Sequence, residues 1–557
     1  MNYSIVTLAE VKTKIDYEQA LMYDCETIGL YGKIRLAQFF QEGWAYPLLV
    51  ENPEPLELVS VLSNAIVVAH NAHYDISCIQ DNLGRLKWMP KNFHCTFLLS
   101  RLYFYNEEKF SLDAVIRYTI GHNPYGDTKK DLQQSDWSAP VLSKDQLTYA
   151  ADDVRYLLHV WGKVKECMED LSYKLDLLCL KYCLDFQNNG MPVDMEILQS
   201  IYAQNMADIA KIALPINCNS YQQVRKYIDS TMSDDLGLST LAAQGSQKAA
   251  DVKTTRKLTK SNSFLQKFAD TAIDNVIFGK FKPSARSGRT TSDDQNLQQI
   301  PRALKSVFGF KKDGDQVIIF SDFAQIQLRG VCVVANDKTM EKLFRAGEDL
   351  HNFVAKMIFG DDFTTEDRQI CKTANFGLLF GAGVIVFLSI LLKQAGFVRS
   401  EEWGMKLKKK WIGLWTGIGA WQQAGIKAYK KGEAWETPLG RRYTARMMTD
   451  QLAMQIQGFE AEVAKLAMHY MLPKMAELSK DIKLRNFIHD SYIFSCPNDP
   501  VLYKQACEII AESMQEAWKQ MCQSVAIKDL PMPVNVRVGF NWGHIEKGEF
   551  IHELKVA

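Results

Sequence analysis

The chain has 557 residues, 47% of them hydrophobic, and 65 Lys+Arg balance 65 Asp+Glu. That length exceeds one ordinary core and predicts about three to four domains. The even charge gives no overall electrostatic signature, and the lack of any run of about 18 uncharged apolar residues excludes a membrane-spanning helix. The start, MNYSIVTLAEVKTKIDYEQA, carries acids and no long apolar stretch, so no signal peptide is expected and the protein is expected inside the cell. Twelve cysteines are scattered singly, and the closest pair, Cys179 and Cys183, has no histidine nearby. This excludes a zinc or disulfide framework and predicts reduced, structural thiols.

In chain order, YDCETIGL (23–30) ends an apolar and polar alternation that predicts a strand, with Asp24 and Glu26 on the same face. Adjacent carboxylates repel unless a divalent ion lies between them, and short oxygen ligands suit Mg²⁺ or Mn²⁺. NAIVVAHNAHYDISCI (64–79) reads as a strand followed by a helix that spaces Asn71 and Asp75 by one turn. QLTYAADDVRYLLHVW (146–161) is helical and spaces Tyr149 and Asp153 in the same way. Taken singly, each pattern is also that of a surface acid.

Together, Asp24, Glu26, Asp75, Asp153 and Tyr149 resemble the proofreading 3′→5′ exonuclease domains of the ribonuclease-H-like superfamily, the subclass with four carboxylates and a tyrosine. KDLQQSDW (130–137) and SLDAVIRY (111–118) look like further segments of that group. The resemblance implies a mixed sheet flanked by helices over residues 1–172. It also implies two metals clamping the scissile phosphate, with Tyr149 orienting the attacking water.

From Lys248 to Arg289, ten basic residues stand against Asp251, Asp270 and Asp274, a flexible basic surface suited to phosphates or a plain solvated face. VIIFSDFAQIQLRG (317–330) is a β-forming run ending in Asp322, and FIHDSYIFS (487–495) is another, with His489, Asp490 and Ser491 at its centre. A buried carboxylate needs a cation. If the two runs are adjacent strands, Asp322 and Asp490 share two Mg²⁺ ions. Between them, in RQICKTANFGLLFGAG (368–383), Arg368, Lys372, Phe376 and Phe380 recur every four residues, so a helix aligns them on one face. Two cations suit a triphosphate and two aromatics suit a base and sugar; the bland reading is an amphipathic helix end with two buried rings.

SDFAQIQLR, RQICKTANFGLLFG and IHDSY are similar to motifs A, B and C of the family A DNA polymerases, the DNA polymerase I type. GMPVD (190–194), SGRTTSDDQNLQQIP (287–301), GEDLH (347–351), TPLGRRY (437–443), QGFEAEVAK (457–465) and VGFNWG (538–543) follow the family's order. The resemblance implies an α/β multi-domain chain, a ribonuclease-H-like exonuclease domain followed by a right-hand polymerase domain over 173–557. Its thumb would cover about 180–285, the palm about 290–360 and 435–557, and the fingers about 361–434. It implies catalysis by Asp322, Asp490 and Lys372, and nucleotide binding by Arg368, Lys372, Phe376, Phe380, Gln327 and His351. Arg289, Asn296, Gln298, Gln457 and His489 would contact DNA, with the basic Lys248–Arg289 stretch on duplex phosphates. Its substrates would be primer-template DNA and deoxynucleoside triphosphates, with two Mg²⁺ per active site and Mn²⁺ as the substitute.

Departures from the pattern are informative. Gln327 replaces the usual Glu and Phe380 the usual Tyr, a pair that excludes ribose, so ribonucleotides stay disfavoured but less strictly. Phe376, rather than Tyr, is the form that discriminates against dideoxynucleotides. Ser491 replaces a Glu, which predicts a tuned rate, and Ala453 stands where an Asn usually precedes the QG glutamine. No flap-nuclease segment is expected before the exonuclease. Such a compact chain is similar to bacteriophage replicative polymerases, which implies phage DNA replication, with a bacterial or organellar origin as the alternative; a monomer in the cytoplasm (the host's if phage-encoded) is expected, and the sequence does not identify a helicase or processivity factor. The rival readings are an exonuclease whose C-terminal half only binds nucleic acid, a non-enzymatic scaffold, and a polymerase that also copies RNA. The first two conflict with the acids at 322 and 490.

Overall fold

A computed structural model describes residues 2–126 and 129–556, with backbone alone at 129 and 130. The side chain of Lys130, which opens KDLQQSDW, therefore lies outside the described residues. The chain forms two units. One holds Met1–Asn189, Lys280–Asp293 and Leu439–Thr444, the other Gly190–Gly279, Asp294–Pro438 and Ala445–Ala557.

In the first unit, β1 (Ser4–Ile5), β2 (Ala20–Ile28), β3 (Lys33–Gln41), β4 (Leu48–Glu51), β5 (Ile66–Ala69) and β6 (Asn92–Cys95) form one mixed sheet in the order β1-β4-β3-β2-β5-β6. Alternation fixes the register of β2. Tyr23 and Cys25 are buried, and the intervening Asp24 and Glu26 remain half-exposed on the other face. The helix α1 (Ala72–Asn82) follows β5 through Asn71, whose φ of 62° turns the chain sharply enough to set Asp75 in the first turn. The helix α2 (Lys144–Val164) opens on a reciprocal cap between Ser143 and Gln146 and buries Leu147, Val154, Leu157 and Val160.

The second unit is built on a five-stranded antiparallel sheet. Its strands are β7 (Gln316–Phe323), β8 (Lys483–Ile488), β9 (Ser491–Pro497), β10 (Val534–Gly539) and β11 (His552–Val556), in the order β8-β9-β7-β10-β11. Helices in chain order are α3 (Met195–Ile212), α4 (Gln247–Thr271), α5 (Ile326–Val334), α6 (Leu350–Phe359), α7 (Thr365–Gly377), α8 (Val384–Ala395), α9 (Glu401–Leu414), α10 (Thr416–Lys431), α11 (Met448–Leu478) and α12 (Pro500–Cys522). The helix α12 packs on the sheet and α11 packs on α12. The stretch expected to be a flexible basic surface is a 25-residue helix over Gln247–Thr271, because Ala249, Val252, Leu265 and Phe268 recur at helical spacing and are buried. Among the described residues no helix is long and apolar enough to cross a membrane.

Candidate active sites

In the first unit, strand alternation and two helices converge on one cleft. Carboxylate oxygens of Asp24 and Glu26 from β2 and of Asp153 from α2 lie within 4.8 Å of one another. Asp75, from α1, is 1% exposed, and burial raises its pKa well above the carboxylate range. Neither of its oxygens makes a hydrogen bond. All five predicted residues, including Tyr149, line a cavity of about 870 Å³. Burial, then the nearby Asp153, Glu26 and Asp24, raises the Tyr149 phenol, which stays protonated at neutral pH.

Sequence reasoning missed Tyr125, whose hydroxyl donates to Asp153 Oδ1 and whose ring lies 5.7 Å from that of Tyr149. It sits in a stretch with no periodic pattern to flag it. Lys282 and Ser284 also line the cavity. Lys282, within the basic stretch expected on duplex phosphates, belongs to this unit and pairs with Asp293 at 2.8 Å. Lys280 likewise pairs with Asp81 at 2.7 Å. The four acids fit divalent cations: crowded carboxylates, one of them fully buried, are what such ions neutralise.

In the second unit, β7 and β9 are neighbours, and Asp322 stands opposite Ser491. The β8–β9 turn consists of His489 and Asp490, since Ile488 pairs with Ser491. His489 takes the left-handed φ of 57°, and Asp490 follows at the head of β9, beside the end of β7. Asp322 Oδ1 is buried without a hydrogen bond. Its pKa is pushed up to about 6, first by burial and then by Asp490 and Glu546, against the lowering effect of Arg537. A half-buried acid pair with a partly compensating arginine fits divalent cations as well. The Ser491 hydroxyl lies 3.5 Å from Asp490 Oδ1. Gln298 donates to the Phe487 carbonyl at 2.7 Å, bracing the turn, and Asn296 Oδ1 accepts from the Gln298 backbone N–H. Gln457 and Ala453 are half-buried on α11, and Gln327 on α5. Arg289 lies in the segment that belongs to the other unit.

The helix α7 carries Arg368, Lys372 and Phe376, but it does not carry Phe380. It ends at Gly377, and Phe380 sits in the following turn, half-buried. Gln422 supplies the reason: its amide donates to the Leu378 and Leu379 carbonyls at 2.9 and 2.8 Å, and Gly381 turns the chain with φ 75°. Arg368 is engaged, bonded to Asp349 at 2.7 Å and Asn352 at 2.6 Å. Lys372 is exposed and makes no hydrogen bond or ion pair among the described residues. Phe376 is 41% exposed, and its ring lies 6.0 Å from that of His351. Within the basic stretch, Arg256 turns inward to the Cys218 and Ser233 carbonyls, while Lys248, Lys253, Lys257, Lys260 and Lys267 stay exposed on α4.

One unit with paired acids at the ends of neighbouring strands and a helix with a cation face, and another with four acids from a strand and two helices, define a nucleic-acid polymerase that also carries a nuclease. Residues 199–544 match DNA polymerase family A, and residues 3–169 match the 3′-5′ exonuclease family. The chain belongs to DNA polymerase family A and is DNA polymerase I-like, with a polymerase and a 3′→5′ exonuclease domain. It is similar to DNA polymerase I of Aquifex aeolicus (strain VF5), 25% identical with 97% of this chain and 100% of the relative covered. DNA polymerase I of Chloroflexus aurantiacus is 26% identical over 72% of this chain and 47% of its own length. The chain thus spans about half the length of that relative. Its fold is similar to a solved structure of the POL domain of Pol1 from M. smegmatis in complex with DNA primer-template and dNTP. The TM-score is 0.75 at 18% identity, covering 96% of each chain.

Proposed function

We propose that the second unit adds deoxynucleotides to a primer 3′ end on a DNA template and that the first unit removes nucleotides from that same end. The reading is carried by Asp322 and Asp490 at the meeting of two adjacent strands, in the unit whose α7 presents Arg368, Lys372 and Phe376. Asp322 and Asp490 would hold one pair of Mg²⁺ ions, and Asp24, Glu26, Asp75 and Asp153 another, with Mn²⁺ as the substitute. Bound there, the ions supply a lowered pKa for the attacking oxygen and charge neutralisation at phosphate.

In synthesis, the primer 3′ oxygen bonds to the α-phosphorus as the bond to the bridging oxygen breaks, and pyrophosphate leaves. The 3′ hydroxyl proton passes to solvent. Lys372 faces the charge that grows on the leaving group, Arg368 the outer phosphates, and Phe376 stacks on the base. Gln327 and Phe380 bound the sugar, where an apolar ring blocks a 2′ hydroxyl by bulk alone. Arg289, Asn296, Gln298, Gln457 and His489 hold the primer and template, and the exposed lysines of α4 neutralise duplex phosphates. In degradation, Tyr149 orients a water whose oxygen bonds to phosphorus as the bond to the 3′ oxygen breaks, freeing a nucleoside monophosphate; the water gives up a proton to solvent and the 3′ oxygen takes one up to become the new primer 3′ hydroxyl.

This reading divides the chain into exonuclease (1–172), thumb (about 180–285), palm (about 290–360 and 435–557) and fingers (about 361–434). It has a monomer acting on DNA in the cytoplasm. The test is a labelled primer on a DNA template with Mg²⁺. Growth with the four deoxynucleotides and shortening without them is expected; shortening under both conditions contradicts the synthetic half.

A further inference from the structure

On the buried side of α7, behind the face that carries Lys372 and Phe376, Asn375 is 2% exposed and joins three helices. Its Oδ1 accepts from Trp411 Nε1 of α9 at 2.7 Å, and its Nδ2 lies 2.8 Å from His351 Nδ1 of α6. An indole N–H can only donate, so the amide oxygen must face Trp411 and the amide NH₂ must face His351. An NH₂ cannot accept. His351 Nδ1 is therefore the acceptor, and a neutral imidazole then carries its proton on Nε2. His351 Nε2 makes no hydrogen bond among the described residues.

Burial of the ring favours the neutral form. Burial, followed by Arg368 and Lys372 from α7 acting against Asp349 at the N-terminus of α6, lowers the His351 pKa to about 4. From α9, Lys410 bonds the Ile358 carbonyl at 3.0 Å, which leaves the neutral Trp411 in the network. On Lys338–Arg345, which also packs on α6, Glu341 is taken by Lys338 and Arg345 at 2.9 and 3.0 Å.

We propose that Asn375 is a positioning residue that locks His351 in the Nε2–H tautomer, presenting a neutral N–H donor to a phosphate oxygen of the incoming nucleotide beside Lys372. The ligand part rests on the nucleotide-binding reading of α7, whereas the tautomer lock stands on geometry alone. A protonated ring, or the Nδ1–H tautomer, would set N–H against N–H at Asn375. The lock therefore keeps nucleotide affinity constant across neutral pH, which a freely titrating histidine would not do.

The test uses the full chain labelled with ¹⁵N-histidine, the His351 signal being assigned by its loss in His351→Gln. The wild type is expected to carry its proton on Nε2 from pH 6 to 8. In Asn375→Asp the carboxylate accepts from both neighbours, so the proton moves to Nδ1 and the ring pKa rises by about 1 to 3. The nucleotide KM is then expected to rise about tenfold at pH 8 and to recover toward pH 6, where the charged ring regains its Nε2–H, with kcat changing less. Trp411→Phe keeps the ring but frees the amide to flip, and a mixture of tautomers is expected. A wild-type proton on Nδ1 overturns the lock, and an unchanged tautomer in both variants does so too. An intact lock with a wild-type KM in Asn375→Asp at both pH values overturns only the nucleotide contact.

Discussion

The two acid clusters solve the same electrostatic problem with different local resources. In the first unit the carboxylates of Asp24, Glu26 and Asp153 converge in a cavity that a buried Asp75 also lines, and the phenols of Tyr125 and Tyr149 supply hydrogen atoms rather than positive charge. In the second, Arg537 lies close enough to Asp322 to offset part of its burial. On the proposed two-metal reading, the exonuclease cluster would rely on cations for its charge balance more completely than the polymerase pair would.

The largest expected effect sharpens that contrast. Asp322→Asn should lower primer extension by at least about 10³-fold and leave degradation intact. In chelator-treated wild type, the Asp322 pKa of about 6 lies above its unfolded value near 4. Unfolded chains then lose this proton first as pH rises, so stability falls between about pH 4 and 6, by on the order of 3 kcal/mol. Thermal melts of the metal-free protein should show that fall, and Asp322→Asn should flatten it. Asp75→Asn should lower degradation by about 10²- to 10³-fold and raise the melting temperature of the metal-free protein at pH 7, because folding no longer has to protonate a buried acid that is ionised in the unfolded chain.

How far the sequence could be read follows from where each group's constraint lies. The strands around Asp24, Asp322 and Asp490 were legible because alternation and apolar runs are local signals. The pairing of β7 with β9 was legible only as a condition, that Asp322 and Asp490 share ions if their strands are adjacent, because register between distant strands has no local signal. The every-four spacing suggested one long helix through Phe380, yet Gln422, remote in sequence, caps it early. The basic run reads as one surface, but Lys280 and Lys282 answer to Asp81 and Asp293 in the first unit. Asn375 gave no signal, since its role depends on Trp411 and His351 arriving from two other helices.

Smaller effects probe these non-local constraints. Gln422→Ala leaves two carbonyls without their donor and should cost about 1 to 3 kcal/mol. It should also shift Phe380, so discrimination against ribonucleotides, measured at matched concentration, should weaken with the melting temperature. Smallest, Tyr125→Phe removes one hydrogen bond to Asp153 and should slow degradation about fivefold without touching extension.

The most direct measurement is one gel in which wild type, Asp490→Ala and Asp24→Ala act on the same labelled primer-template with Mg²⁺, with and without deoxynucleotides. Growth lost only in Asp490→Ala and shortening lost only in Asp24→Ala is the predicted result. Loss of both activities in either variant would contradict two separate sites.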